Sequence, residues 1–259
     1  MSQAISLAII GGSGFYQPGM LAETEILEVE TPYGVVKPIV GYLGEMRVAF
    51  LPRHGEGHTV LPHQVNYRAN LWGLKQLGVK QMIATTAVGS LDQKLEPGSL
   101  VIIDQFLDFT KQRPLTFFDQ EEVHKAHVDV TEPYCIGLRQ ELRSCAEKLK
   151  IPYHFGGCYV CTEGPRYETA AEIKMYQILG GTVIGMTAVP EVVLARELGI
   201  CYANLSIVTN WAAGIGSTLL KHQEVVEIMS AKQTILRELI TQSLALISCT
   251  ANTCHCRRE

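Results

Sequence analysis

The chain is 259 residues long, with 22 Lys and Arg against 26 Asp and Glu, giving a formal charge of −4. Its composition, 47% hydrophobic and 19% charged, excludes a disordered polypeptide and is enough for one large α/β domain or two small ones. The mild acidity excludes the global basic field of a general nucleic-acid or membrane-surface binder, while leaving room for a local basic pocket around one small anion.

In chain order, Met1 to Ser6 lacks a basic n-region, and the apolar stretch that follows stops at Gly11-Gly12. No cleaved signal is therefore expected. No apolar run reaches the roughly 18 residues of a membrane span, so a cytoplasmic protein is expected. Strands are predicted at Ser6–Ile10, Arg47–Leu51, Gln81–Thr85, Leu100–Ile103, Gly157–Cys161, Val183–Met186 and Cys201–Val208. Helical windows lie between and after them at His63–Leu77, Tyr134–Leu149, Ala170–Leu179, Pro190–Leu198 and Gln223–Leu246. In the last window Val225, Ile228, Met229, Ile235 and Leu239 are spaced for a buried stripe. Strands separated by helices imply a sheet with parallel pairs, covered on both faces, with ligands bound beyond the carboxyl ends of its strands. No linker or repeat interrupts the plan, so a single domain over residues 1–259 is expected, with a tail from about 249.

Eight cysteines are too few for a disulfide scaffold and are expected to be buried or free thiols. Cys254-His255-Cys256 offers two thiols near the end. They could bind a metal or form a strained disulfide, but a structural zinc site wants a second pair, so a bland tail without a metal is expected.

Polar motifs follow the predicted strands. Gly11-Gly12-Ser13-Gly14 permits a sharp turn that points N–H groups and the Ser13 hydroxyl at an anion. It lacks the spacing of a dinucleotide fingerprint and the ending of a Walker loop, and alone it is equally well explained as a structural turn. Arg53-His54-Gly55 offers a planar donor fork and a further imidazole donor for phosphate; by itself it reads as a surface pair. Thr85 to Ser90, TTAVGS, reads as a third donor-rich turn. Three such turns together suggest free phosphate held by dispersed loops. Thr162 to Thr169 enters a helix through a capping box, Thr169 to Glu172, leaving Tyr167 as an aromatic face and Glu168 as an acceptor. Gly185 to Glu191 is a strand-to-helix junction with Pro190 suited to the first helical turn. Thr209 to Gly214 reads as a polar stop after an apolar strand.

The blocks RHGEGHTVLPHQVNYRANLWGLK, TTAVGSL, VTEPYC, TEGPRYET and GMTAVPEVVLARELGICYA resemble the trimeric purine nucleoside phosphorylases, especially the branch containing methylthioadenosine phosphorylases. The resemblance covers Leu7 to about Ile228. It implies an α/β fold with a mixed central sheet flanked by helices, and a homotrimer or a homohexamer built as a dimer of trimers. The implied activity is that of a pentosyltransferase in purine salvage: reversible phosphorolysis of purine nucleosides, with phosphate as co-substrate and no metal or organic cofactor. Carried over residue by residue, Ser13, Arg53, His54, Thr86, Ala87 and Thr187 correspond to phosphate contacts. Met186 corresponds to the residue whose backbone meets the ribose hydroxyls, and Tyr167 to a ring beside the nucleoside. His127 matches a histidine that reaches a neighbouring subunit's sugar pocket; read alone, it is a solvated loop residue. Asn210 and His54 are the expected catalytic residues.

The branch specific for 6-amino purines resembles Asp-Tyr-Asp where this chain has Asn210-Trp211-Ala212. A 6-oxo purine presents an acceptor at O6 and a proton at N1, reversing the demand of a 6-amino purine. Asn210 suits an O6/N7 edge, and Glu168 accepts from N1–H, a pairing that resembles the 6-oxopurine phosphorylases. His222 aligns with a histidine that binds the ribose 5′-hydroxyl, although a helix-start histidine on a wet surface explains it too. Inosine and guanosine are the expected substrates. S-methyl-5′-thioinosine or S-methyl-5′-thioadenosine is the alternative, and a nucleoside or phosphate sensor the non-enzymatic one. A nicotinamide-dependent oxidoreductase is disfavoured by the missing glycine spacing.

Overall fold

The computed structural model describes residues 4–15, 19–119, 127–216, 222–247, 254 and 256. Its strands are β1 (Leu7–Gly11), β2 (Ala22–Ile26), β3 (Val29–Thr31), β4 (Gly34–Val36), β5 (Ile39–Leu43), β6 (Met46–Pro52), β7 (Gln81–Ser90), β8 (Leu100–Ile102), β9 (Gln105–Phe109), β10 (His154–Phe155), β11 (Cys158–Thr162), β12 (Val183–Gly185) and β13 (Cys201–Trp211). Its helices are α1 (Tyr67–Gln76), α2 (Ile136–Leu149), α3 (Ala170–Ile178), α4 (Ala188–Glu197) and α5 (His222–Ile247). The wholly buried β1 shows why a continuous apolar run makes a central strand. Ala8 and Ile10 enter one hydrophobic cluster, Leu7 and Ile9 the other, because successive side chains point to opposite, equally dry faces.

Eleven strands form one mixed sheet in the order β10-β8-β13-β7-β1-β6-β5-β2, with β12 joined to β7 and leading on to β11 and β9. β13, β7, β1 and β6 run parallel, whereas β8 pairs antiparallel with β13, β12 with β7, and β5 with β6. Helices α1 and α4 cover one face through Tyr67, Leu71, Leu74, Val189 and Val192. Helices α2 and α5 cover the other through Leu138, Leu142, Met229, Leu236 and Leu239. The expected α5 stripe is present: Val225, Met229 and Leu239 are buried, and Ile228 and Ile235 pack partly buried at its edge. Each large aliphatic side chain so buried is worth about 1.5–3 kcal/mol.

All five helical windows contain helices. The first starts later than expected, at Tyr67, because the Asn66 side chain accepts from the Ala69 amide at 3.0 Å and caps it there. The expected capping box of α3 is formed by Thr169 and Glu172.

Two strands outrun the prediction, and this changes where the site lies. β7 continues through Ser90 and β13 through Trp211, so TTAVGS is strand, not a turn beyond it, and Thr209 to Trp211 is not a stop. Polar residues tolerate this because the sheet parts beside them. Pairing of β7 with β1 ends at Ala84, and antiparallel pairing with β12 begins only at Gly89. Among the described residues, Thr85 to Val88 have no strand partner on that edge, while β13 pairs with them on the other.

Candidate active site

The gap beside β7 opens into a cavity of about 340 Å³. All six expected anion contacts line it: Ser13, Arg53, His54, Thr86, Ala87 and Thr187. Four expected nucleoside contacts, Tyr167, Glu168, Met186 and Asn210, line the same cavity. His127 is exposed and is not in its wall. His222 opens α5, but its side chain lies outside the described residues; Val225, three residues further along, is in the wall.

Chain reversal after β1 brings the Gly12 backbone against β7, where its amide donates to Thr85 Oγ1 at 3.1 Å. A Cβ on Gly12 would stand 2.5 Å from the Thr85 carbonyl oxygen and 2.7 Å from Arg53 Nη1, so only glycine fits. Gly14, at φ +75°, completes the turn in the left-handed region.

Arg53 is not the open fork expected from sequence. Its Nε and Nη2 donate to the two carboxylate oxygens of Glu191, the second at 2.9 Å, and Nη1 donates to the Thr85 carbonyl at 2.9 Å. Tyr202 Oη adds a donation to Glu191 Oε2 at 2.8 Å. Both members of the pair are buried. Burial alone would lower the Arg53 pKa, but adjacent Glu191 outweighs it and holds the guanidinium above its ordinary range. Three of the five guanidinium protons are thereby committed and two are left for an anion. Sequence reasoning quoted Glu191 within its motif without giving it a role. The available signal was an acid in the first turn of a helix, where the dipole favours it.

His54 also departs from expectation. Its Nδ1 lies 2.8 Å from the Val60 carbonyl oxygen, which can only accept, so Nδ1 carries the proton. Burial, the Arg53 charge and nearby His58 and Arg113 push its pKa down to about 3, against the pull of the Val60 bond. The neutral ring therefore has Nε2 as an acceptor, not the second donor that was expected. The partner it suits is a protonated phosphate oxygen.

Thr86 stands over a buried cluster. Its Oγ1 lies 3.1 Å from Asn204 Oδ1 and 2.8 Å from Ser206 Oγ, and Ser206 Oγ donates to Asn204 Oδ1 at 2.7 Å. Asn204 is fully buried and its Nδ2 has no partner among the described residues. Turned through 180°, the same amide donates to both hydroxyls and releases the Thr86 proton toward an anion. Thr187, the N-cap of α4, has no side-chain capping bond and places the amino end of a ten-residue helix at the cavity. Unpaired amides and the helix dipole there favour an anion.

On the nucleoside side, a register shift between Val208 and Asn210 leaves Thr209 without a partner in the β7 ladder and sets Asn210 opposite Gly89. Thr209 Oγ1 donates to its Oδ1 at 2.9 Å, and its Nδ2 donates to the Trp211 carbonyl at 3.0 Å. Those two bonds fix the amide and leave one N–H and one lone pair unused. Glu168 accepts from Thr162 Oγ1 at 2.6 Å; burial raises its pKa despite that bond. Tyr167, 40% exposed, stands at the mouth. Sequence reasoning missed Arg113, whose Nη1 donates to the Met186 carbonyl at 2.9 Å and whose Nη2 donates to that of Glu163 at 2.6 Å. It lies in a segment with no predicted element, so nothing local marked it.

The family model described as the Phosphorylase superfamily matches residues 6–245. The chain belongs to the phosphorylase superfamily. Within that superfamily, a 6-oxopurine nucleoside phosphorylase of Pyrococcus furiosus is 54% identical, over 93% of this chain and 92% of its own length. A probable S-methyl-5′-thioinosine phosphorylase of Methanothermobacter thermautotrophicus is 49% identical, over 97% and 87%. The crystal structure of a methylthioadenosine phosphorylase from an antarctic soil metagenomic library matches with a TM-score of 0.91 and 37% identity, covering 98% of this chain and 90% of that one. The resemblance read from the motifs and the mixed α/β sheet of this phosphorylase-superfamily chain are thus borne out. Among its described residues no helix is long and apolar enough to cross a membrane.

Proposed function

We propose that the protein cleaves 6-oxopurine nucleosides, inosine and guanosine, with phosphate, giving free base and ribose 1-phosphate. The observation that carries this is the fixed Asn210 amide and the half-buried Glu168 carboxylate in one cavity with the donors from Arg53, Thr187 and the Gly12 turn. Asn210 donates to N7 or O6, and Glu168 accepts from N1–H and, in guanine, from the 2-amino group. Phosphate attacks C1′ as the base leaves. Its negative charge also favours the cation-like sugar, and Asn210 stabilises the charge growing on the purine. Positioning and preorganised electrostatics supply the rate, with no covalent intermediate.

The relatives named 6-oxopurine nucleoside phosphorylase support this reading. A 5′-methylthio substrate is the second reading, favoured by apolar Val225 in the cavity wall. The proposal includes a cytoplasmic trimer or dimer of trimers, with exposed His127 serving a neighbour's sugar pocket and no cofactor in the reaction.

The test is a panel of inosine, guanosine, adenosine and their 5′-methylthio analogues at fixed phosphate, with wild type and Asn210→Asp. Phosphate-dependent hypoxanthine and guanine release is expected. Asp at this position turns an amide donor into an acceptor and should move selectivity toward adenosine by about 5–150-fold, equivalent to roughly 1–3 kcal/mol. Base release without phosphate, or unchanged selectivity in the variant, contradicts the assignment.

A further inference from the structure

The cysteine pair near the end of the chain has the partners that the sequence did not reveal. Cys135 is the N-cap of α2 and Cys201 is the first residue of β13. Backbone bonds hold both, from the Cys135 amide to the Tyr202 carbonyl at 2.8 Å and from the Cys201 amide to the Lys80 carbonyl at 3.0 Å. Cys254 and Cys256 lie against them. The four sulfurs are all within 4.8 Å of one another, and Cys201 Sγ is 3.3 Å from Cys254 Sγ. Cys135, Cys201 and Cys256 are buried and Cys254 is half-buried.

The arrangement meets the demands of a tetrahedral thiolate site. Metal–sulfur bonds of about 2.3 Å place four sulfurs about 3.8 Å apart, within the spread seen here. A disulfide needs about 2.05 Å, and all four cysteines are unbridged. Two ligands come from the sheet and a helix cap, and two from the Cys-x-Cys pair near the end of the chain. Apolar residues of the α2–α5 core surround the group. Four thiolates around a divalent cation leave excess negative charge, and the structure supplies compensation. The amino end of α2 is at Cys135, where helix amides favour a thiolate.

We propose that Cys135, Cys201, Cys254 and Cys256 form a structural tetrathiolate site for a zinc-class divalent cation, fastening the carboxyl-terminal segment to the sheet. The site is remote from the chemistry. Cys201 opens the strand that carries Asn210 near its far end, about 30 Å away at the rise of an extended strand. The cation therefore braces the fold and takes no part in turnover.

The test uses the full-length protein purified under reducing conditions without chelator. Elemental analysis should find stoichiometric zinc, which a mercurial thiol reagent releases. Protein loaded with cobalt(II) should show thiolate charge-transfer absorption and the intense visible bands of a tetrahedral site. The Cys254→Ser/Cys256→Ser double variant should lose the metal and the cobalt spectrum and melt at lower temperature, while keeping the wild-type rate on inosine. If that variant does not fold, the metal content and cobalt spectrum of the wild type still decide. Four titratable thiols with no bound metal overturn the proposal. So does an intact mass short by two hydrogens per bridge, with thiols that react only after reduction, since the cluster would then be disulfides.

Discussion

The neutral state of His54 has a stability signature that can be calculated. Its folded pKa of about 3 lies well below the ordinary histidine value of about 6.5. For a base depressed in this way, the stabilisation is fully present above the unfolded pKa. It is lost as pH falls through the window from about 6.5 toward 3, because there only the unfolded chain binds the proton. Between pH 7 and pH 5 the linkage integral comes to about 2 kcal/mol, since the folded ring scarcely titrates over that interval. Burial is the largest cause of the shift, with Arg53, His58 and Arg113 adding to it, and the His58 ring centroid lies 4.3 Å from that of His54. The assay is urea unfolding at both pH values for wild type and His54→Gln, at one protein concentration. Glutamine can still donate to the Val60 carbonyl but cannot titrate. Wild type should lose about 2 kcal/mol more than the variant between pH 7 and pH 5. The double difference cancels every other titrating group. Equal losses in the two proteins would refute the neutral, Nδ1-protonated assignment, and with it the reading of Nε2 as an acceptor for a protonated phosphate oxygen.

Two further outcomes test other parts of the site. Glu191→Gln leaves Arg53 charged and buried without its counterion, a change worth about 3–5 kcal/mol, so the melting temperature should fall by about 6–20 °C. Added phosphate should recover more of that loss than it adds to wild type, because it supplies the missing negative charge; equal phosphate shifts in both proteins contradict this. Because burial raises the Glu168 pKa, its carboxylate is lost at a higher pH than an ordinary glutamate's, and kcat/KM for inosine should fall on the acid side accordingly. Glu168→Gln should abolish that acid limb and lower kcat/KM by about 5–150-fold; an unchanged limb would mean another group controls it.

The elements that the sequence made legible are those whose signal is local. The buried run of β1, the stripe on α5 and the capping box at Thr169 are each written in a few neighbouring residues, and each is observed. The edge strand β2 was not legible, because its exposed positions carry no alternation to read. β7 and β13 were cut short because Thr85, Thr86, Thr209 and Asn210 look like turn residues. The gap between β1 and β12 lies beside Thr85 and Thr86, and the pairing of β13 with β8 stops at Ile207, before Thr209 and Asn210. The wall of the site was legible as a set of donors, but their allegiance was not. Glu191 holds Arg53 across 138 residues, Asn204 underlies Thr86 across 118, and Cys135 and Cys201 meet a tail that looked bland in isolation. Such pairings exist only after folding, and no window along the chain contains them.

The same pairings change the meaning of the opening charge argument. A mildly acidic chain left room for a basic anion pocket, but the cavity is not basic in that sense. Among the described residues in its wall, Arg53 is the only permanent cation, and Glu191 balances it one for one. His54 is neutral. What the cavity would offer the phosphate of the proposed reaction is therefore orientation: two spare guanidinium protons, the amino end of α4, the unpaired edge of Thr85 to Val88, and hydroxyls whose protons can be turned inward. Preorganised dipoles of this kind cost no reorganisation when charge shifts from phosphate to the sugar and from the sugar to the base. A net positive pocket would hold the phosphate more tightly in the ground state, yet it would also disfavour the cation-like sugar that must form beside it. In the proposed reaction the buried Arg53–Glu191 pair would hold the anion by geometry without placing surplus positive charge next to C1′.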